Sequence, residues 1–119
     1  MAAPWETIAT ASTPEGPLEL RRRQDDWLMV IGGRVLMNSF SRSSEEELSR
    51  LAVAKLERPA QRVLVSGLGM GFTLRALLDG VAADARVVVV EINPVVVGWC
   101  RGPLGPATGD AISDRRVQV

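Results

Sequence analysis

Arg62-Val63-Leu64-Val65-Ser66-Gly67-Leu68-Gly69-Met70-Gly71-Phe72 runs from an apolar strand through three alternating glycines into a helical pattern. Val63, Leu64 and Val65 show no polar alternation, which predicts a strand covered on both faces in a parallel α/β sheet. The glycines lack a Cβ, so the chain can take positive φ and a ligand can come close to the backbone. The amides at the start of the following helix then point at that ligand.

Working downstream, Leu74, Leu77 and Leu78 share one helical face, and Asp79-Gly80 supplies a stop. Arg86-Val87-Val88-Val89-Val90-Glu91 follows as a second buried strand with a carboxylate at its tip. The result is a β-α-β unit. Glu91 lies 20 residues past Gly71, near the spacing at which an acid accepts hydrogen bonds from ribose hydroxyls. A dinucleotide fingerprint is GxGxxG, whereas here the glycines read GxGxG and Phe72 stands where the third glycine would be. A bulky ring at that place argues against a pyrophosphate and so against NAD(P). The expected ligand is a small-molecule nucleoside.

The chain has 119 residues, 46% hydrophobic and 24% charged, with zero formal charge. That is enough for one modest domain or a small subdomain plus part of a larger one. Basic residues are nearly all arginine, Lys55 being the one lysine, and no basic excess recommends nucleic acid. Cys100 is the lone cysteine and histidine is absent, which removes an internal disulfide, a His-based triad and the usual zinc ligands. No metal site is expected. Met1 to Glu6 carry no signal-peptide pattern and no apolar run approaches membrane-spanning length, so the expectation is a cytoplasmic protein without a membrane partner.

Residues 5–38 read as antiparallel β structure. Thr7 to Ala11 form a first strand, Thr13-Pro14-Glu15-Gly16 a turn, and Leu18 and Leu20 the inward face of a half-buried second strand. Trp27 to Ile31 and Arg34 to Met37 flank Gly32-Gly33, a two-residue hairpin loop. Trp27, Met29 and Ile31 are expected to form a core stripe, and Arg21-Arg22-Arg23 a solvated charge run.

After a polar linker, Ser43 and Ser44 each precede a glutamate by three residues, Glu46 and Glu47, and start a helix. Its expected apolar stripe is Leu48, Leu51, Ala52 and Leu56, with Glu46 paired to Arg50 and Pro59 as terminator. Beyond Glu91, Asn93 is the expected N-cap and Pro94 the first residue of a third helix, ended by Gly102-Pro103. Residues 102–114 read as a Gly/Pro-rich loop in which Asp110 is a loop residue, and Arg116 to Val119 as a third strand.

The order of these parts resembles spermidine synthases and spermidine-synthase-like proteins of the class I S-adenosylmethionine-dependent methyltransferase superfamily, truncated after the third Rossmann strand. The resemblance rests on the GxGxG loop, the Thr73-Leu74-Arg75 that follows it, Val90 to Pro94 and the preceding β domain. It implies that Gly67, Leu68, Gly69 and Gly71 wrap the tail and sulfonium of S-adenosylmethionine or decarboxylated S-adenosylmethionine. It likewise implies that Glu91 holds the ribose and Ile92 packs on adenine. Departures accompany it. Met70 replaces an aspartate usual in the loop, and a Tyr-His-Glu run of the connecting helix falls near Leu48-Ser49-Arg50. The acid that binds adenine's amino group after the third strand is absent, as are the fourth-strand aspartates that bind and deprotonate the attacking amine.

The expectation is therefore an α/β chain in two parts: an N-terminal antiparallel β-hairpin domain, 1–42, and the first half of a Rossmann-like methyltransferase sheet, 43–119. It would bind the nucleoside but lack a catalytic half and catalytic residues. The competing expectation is a non-catalytic dimerising or nucleotide-sensing module. In this fold the first strand is central, so Val63 to Ser66 should have an open apolar edge, and a homo-oligomer is expected.

Overall fold

The computed structural model describes residues 3–56 and 62–119. It divides into two compact units, Met1–Arg42 and Ser43–Val119.

In the first unit, β1 (Glu6–Thr13), β2 (Gly16–Arg23), β3 (Asp26–Ile31) and β4 (Arg34–Asn38) form an antiparallel sheet in chain order. Gly32 and Gly33 both have positive φ, 54° and 80°, as a two-residue turn between twisted strands requires. Leu18 and Leu20 from β2 and Met29 from β3 are fully buried. Two expectations change here. Trp27 and Met29 are buried with Ile31 only half-buried, and Leu28 and Val30, which point the other way, are buried as well. β3 is thus an inner strand covered on both sides. The arginine run is also more than solvated charge: Arg21 bonds Glu19 at 2.7 Å, while Arg22 and Arg23 lie over the rings of Trp27 and Trp5 at 5.5 and 4.4 Å. Stacking a weakly hydrated guanidinium on an indole keeps the cation while shielding the ring.

The second unit opens with helix α1 (Ser43–Ala54). It continues with β5 (Arg62–Ser66), α2 (Phe72–Gly80), β6 (Arg86–Val90), α3 (Pro94–Arg101) and β7 (Val117–Gln118). The three strands are parallel in the order β5-β6-β7, leaving one edge of β5 unpaired among the described residues. Both crossovers run the same way across the sheet, and right-handedness puts α2 and α3 on the same face. The consequence is visible strand by strand. Val65, Val87 and Val89 are buried, whereas Leu64, Val88 and Val90 are 64%, 40% and 55% exposed. The expectation of cover on both faces is therefore corrected: an unbroken apolar run has found cover for one face only.

Helix α1 is corrected too. Leu48, Leu51, Ala52 and Leu56 are exposed, and the buried residue is Ser49, whose hydroxyl donates to the Thr73 carbonyl at 2.8 Å. Val53 packs close to Gly80, where a Cβ would sit 3.3 Å from a Val53 methyl, so small residues set the α1–α2 approach. Arg50 pairs most closely with Glu47, at 2.7 Å, and more loosely with Glu46, at 3.9 Å. Pro59, expected to end this helix, lies outside the described residues.

Residues 102–114 are not a plain loop. They form two short 3-10 turns, Gly105–Thr108 and Ala111–Ser113, which bury Leu104, Thr108, Ala111 and Ile112. Glycine and proline signal turns but cannot report that a turn's few apolar residues reach the core. Arg116 fastens this end of the unit. It forms a two-pronged pair with Asp114 at 3.0 and 2.9 Å, and its third nitrogen donates to the carbonyls of Leu78, Val81 and Ala82 at the close of α2. The guanidinium holds the Asp114 carboxyl down at about 2.

Candidate functional site

The site lies where β5 and β6 end. Gly67 donates to the Val90 carbonyl at 2.7 Å, continuing the ladder one residue past the strand. The chain then turns tightly, the Gly71 amide donating to the Leu68 carbonyl at 3.0 Å, with φ of 90°, 57° and 91° at Gly67, Gly69 and Gly71. Two of these glycines face different surroundings. A Cβ at Gly71 would meet a Thr108 methyl at 3.4 Å, so this position is closed by the 3-10 turn beside it. A Cβ at Gly67 would meet nothing within 4 Å, so there the backbone is open to an incoming molecule. Gly71 is the N-cap of α2 and offers no side chain to the first-turn amides.

Glu91 binds the loop to the strand tip. One carboxylate oxygen accepts from the Leu68 amide and the other from the Asn93 amide, each at 2.9 Å. Each oxygen keeps a further lone pair for a hydroxyl donor. Ile92, next in sequence, is 98% exposed. Asn93 caps α3 through Val95 at 3.0 Å, with Pro94 in the first turn, which fixes the chain immediately after the acid.

The structure thus brings Gly67, Leu68, Gly69, Gly71 and Glu91 together, with Ile92 beside them. Leu68 contributes backbone alone, since its side chain is buried. Met70 and Phe72 also turn inward, at 4% and 7% exposure. The residue standing in the usual aspartate's place is therefore core, and the Phe72 ring acts by filling space at the helix start rather than by touching a ligand.

Sequence reasoning missed Cys100 and Thr108, which brace the loop from behind. The Cys100 thiol donates to the Gly69 carbonyl at 3.2 Å. Burial first, and the Glu91 charge second, push it up to about 12, so it stays a neutral donor and not a nucleophile. Neither contact has a local sequence signal, because each spans more than 30 residues. Arg75, in the segment after the loop, serves the scaffold: it bonds Asp79 at 2.7 Å and the Thr108 carbonyl at 3.2 Å. Asp110 is exposed and lies in a left-handed turn, as a loop residue. Among the described residues no three acidic or sulfur groups gather as metal ligands, and no helix is long and apolar enough to cross a membrane.

A glycine turn, an acid at the next strand's tip and an open approach beside them stand at the strand ends of a parallel α/β sheet, which follows an antiparallel β unit in the chain. Searches of family models and of curated proteins gave no match. Among solved structures, the chain is similar to a spermidine synthase in complex with the transition-state analogue AdoDATO. Identity is 19% and the TM-score 0.76, over 94% of this chain and 38% of that one. It is equally similar to the spermidine synthase of Thermotoga maritima, at 19% identity and a TM-score of 0.76, over 94% of this chain and 39% of that one. At this identity the likeness establishes the fold. The chain spans about two fifths of the length of those structures.

Proposed function

We propose that the chain is the nucleoside-binding portion of a spermidine-synthase-like transferase, taking S-adenosylmethionine or its decarboxylated form at the glycine loop. The observation that carries this reading is Glu91. Its carboxylate is oriented by two amides beside the open Gly67, where ribose hydroxyls could replace water on its remaining lone pairs. On this reading Ile92 lies under the adenine, and Gly67 and Gly69 border the sulfonium tail. Any transfer would draw mainly on orientation, since a sulfonium already carries a good leaving group. Amine deprotonation needs a base, and the carboxylate at the glycine loop, Glu91, is engaged by the Leu68 and Asn93 amides and, on this reading, by the ribose. The 119 residues are accordingly expected to bind without forming spermidine from putrescine. Spermidine above a no-protein control would overturn that part.

Calorimetry tests the binding. S-adenosyl compounds should bind more tightly than NAD, and equal or tighter NAD binding would defeat the reading. Removing a charged acceptor costs about 1.5–3 kcal/mol, or roughly ten- to a hundredfold in affinity. Glu91→Ala also frees the Leu68 amide, so the ligand must be varied as well. A 2′,3′-dideoxy analogue should bind the native chain that much more weakly than the parent compound, and should be indifferent to Glu91→Gln. If the hydroxyls and Glu91 contribute independently, the ribose contact is wrong.

A second reading, a non-catalytic dimerising module, is favoured by one observation: the bare edge of β5 and the exposed Leu64, Val88 and Val90 beside it. The two readings are compatible, and the oligomer is tested separately below.

A further inference from the structure

The opposite ends of the same strands carry a second concavity. It has a volume of about 760 Å³ and is lined by Arg62, Asp84, Arg86, Arg115, Arg116 and Gln118, with Val88 and Val117 also in its wall. Arg62 and Arg86 begin β5 and β6 and are direct register partners. Parallel neighbours project to the same side from backbones about 5 Å apart, so the two arginine side chains leave neighbouring positions on one face. Both are exposed, and among the described residues neither has a hydrogen-bond or ion-pair partner. Like charges placed as cross-strand neighbours disfavour the sheet.

The remaining charges do not relieve them. Asp114 is committed to Arg116, and that pair is spent on closing α2. Arg115 is exposed and makes one long contact, to the Ala83 carbonyl at 3.5 Å. Among the described residues the one carboxylate in the wall is Asp84, which is exposed. Among the described residues, two unpaired guanidiniums and a third with one long carbonyl contact thus share the groove with one acid, on a chain whose formal charge is zero.

We propose that this groove binds a small phosphate monoester. The dianionic phosphate sits between Arg62 and Arg86, Arg115 closes over it from the rim, and the organic part rests on Val88, which shares their face of the sheet. Guanidiniums suit this ligand because each can give two parallel hydrogen bonds to a phosphate, and a dianion cancels the repulsion between the pair. The apolar wall distinguishes an ester from free phosphate. The site is separate from the glycine loop, so it stands or falls independently of the nucleoside reading.

The test titrates the full chain at low ionic strength with inorganic phosphate, phenyl phosphate and a short single-stranded oligonucleotide, by calorimetry and thermal melting. Phenyl phosphate should bind saturably and more tightly than inorganic phosphate, and each should raise the melting temperature. Arg62→Gln and Arg86→Gln should each weaken phenyl phosphate about tenfold. The double variant should lose the response while its binding at the glycine loop is unchanged. In buffer free of multivalent anions, the double variant should melt higher than the native chain, because a repulsion has been removed. Arginines with a purely structural role would give the reverse. The proposal is overturned by absence of a saturable signal below about 10 mM, by unchanged binding in the double variant, or by binding of the oligonucleotide but not the monoesters. Inorganic phosphate binding as tightly as phenyl phosphate would keep the anion site and remove the ester.

Discussion

The two faces of the β5-β6-β7 sheet are made from the same kinds of residue and meet opposite fates. Val65, Val87 and Val89 are no more than 6% exposed, while Leu64, Val88 and Val90, one residue along in each case, are at least 40% exposed. Side chains alternate across a strand, so a run such as Val87-Val88-Val89-Val90 makes two separate demands for cover. The two right-handed crossovers meet one of them, because both place their helices on one side. Chemical type alone therefore does not say which of these residues stabilises the unit. What decides it is the side of the sheet on which the chain returns.

Leucine-to-alanine changes on the two sides give the largest contrast. Leu74 in α2 is 1% exposed, and truncating such a side chain typically costs about 2–5 kcal/mol, because the lost transfer energy is joined by a cavity. Leu64→Ala on the bare face should stay within about 0.5 kcal/mol. Urea unfolding of the two variants measures both. Similar costs would mean that Leu64 is covered in solution.

Acid should next reveal how the covered side is fastened. The Asp114 carboxyl titrates at about 2 in the folded chain, against about 3.9 unfolded. A lowered folded value means that the contribution is complete above about pH 4 and is lost as pH falls through 2. The pair is partly solvated, so the loss should be about 1 kcal/mol. Melting temperature followed from pH 5 to 2 should show this limb in the native chain. Asp114→Asn should lack it, and an unchanged limb would assign the acid sensitivity to other carboxylates.

What could be read in the sequence follows the same division. The strands, the helix starts at Phe72 and Pro94, the paired glycines at 32 and 33, and the meeting of the glycine loop with Glu91 all depend on local chemistry or fixed spacing. The sequence showed them for that reason. Contacts that depend on which surfaces meet were not legible. The leucines of α1 form a plausible inward stripe, yet the helix buries Ser49 because its neighbour α2 presents a carbonyl and a glycine to it. Thr108 behind Gly71 is likewise set by the turns of residues 102–114, which composition marked as loop, and Cys100 behind Gly69 by where α3 packs. At the candidate site, spacing indicated which residues converge. It did not indicate that Leu68, Met70 and Phe72 would turn their side chains away from it.

The smallest effect concerns the edge of β5 that is unpaired among the described residues. The Gly67 amide points to β6, and alternation along the strand then directs the amides of Leu64 and Ser66 to the open side. None of the usual guards, a proline, a bulge or an inward charge, interrupts Val63-Leu64-Val65. A second copy can pair here across a two-fold axis. Centred on Leu64, the antiparallel register sets Leu64 against its copy and Arg62 against Ser66, so no like charges oppose. Five residues make a small contact, well below the about 1,200 Å² of a stable interface, and the dimer should be weak, with a dissociation constant of about 10–100 µM. Sedimentation across that range should show a reversible increase in mass, and the Leu64 and Ser66 amides should exchange more slowly as concentration rises. Leu64→Lys should abolish both effects while leaving the unfolding midpoint nearly unchanged. A chain that stays monomeric with those amides exchanging rapidly would show an edge that is open and inert. Slow exchange in a monomer would show that another segment of the chain covers it.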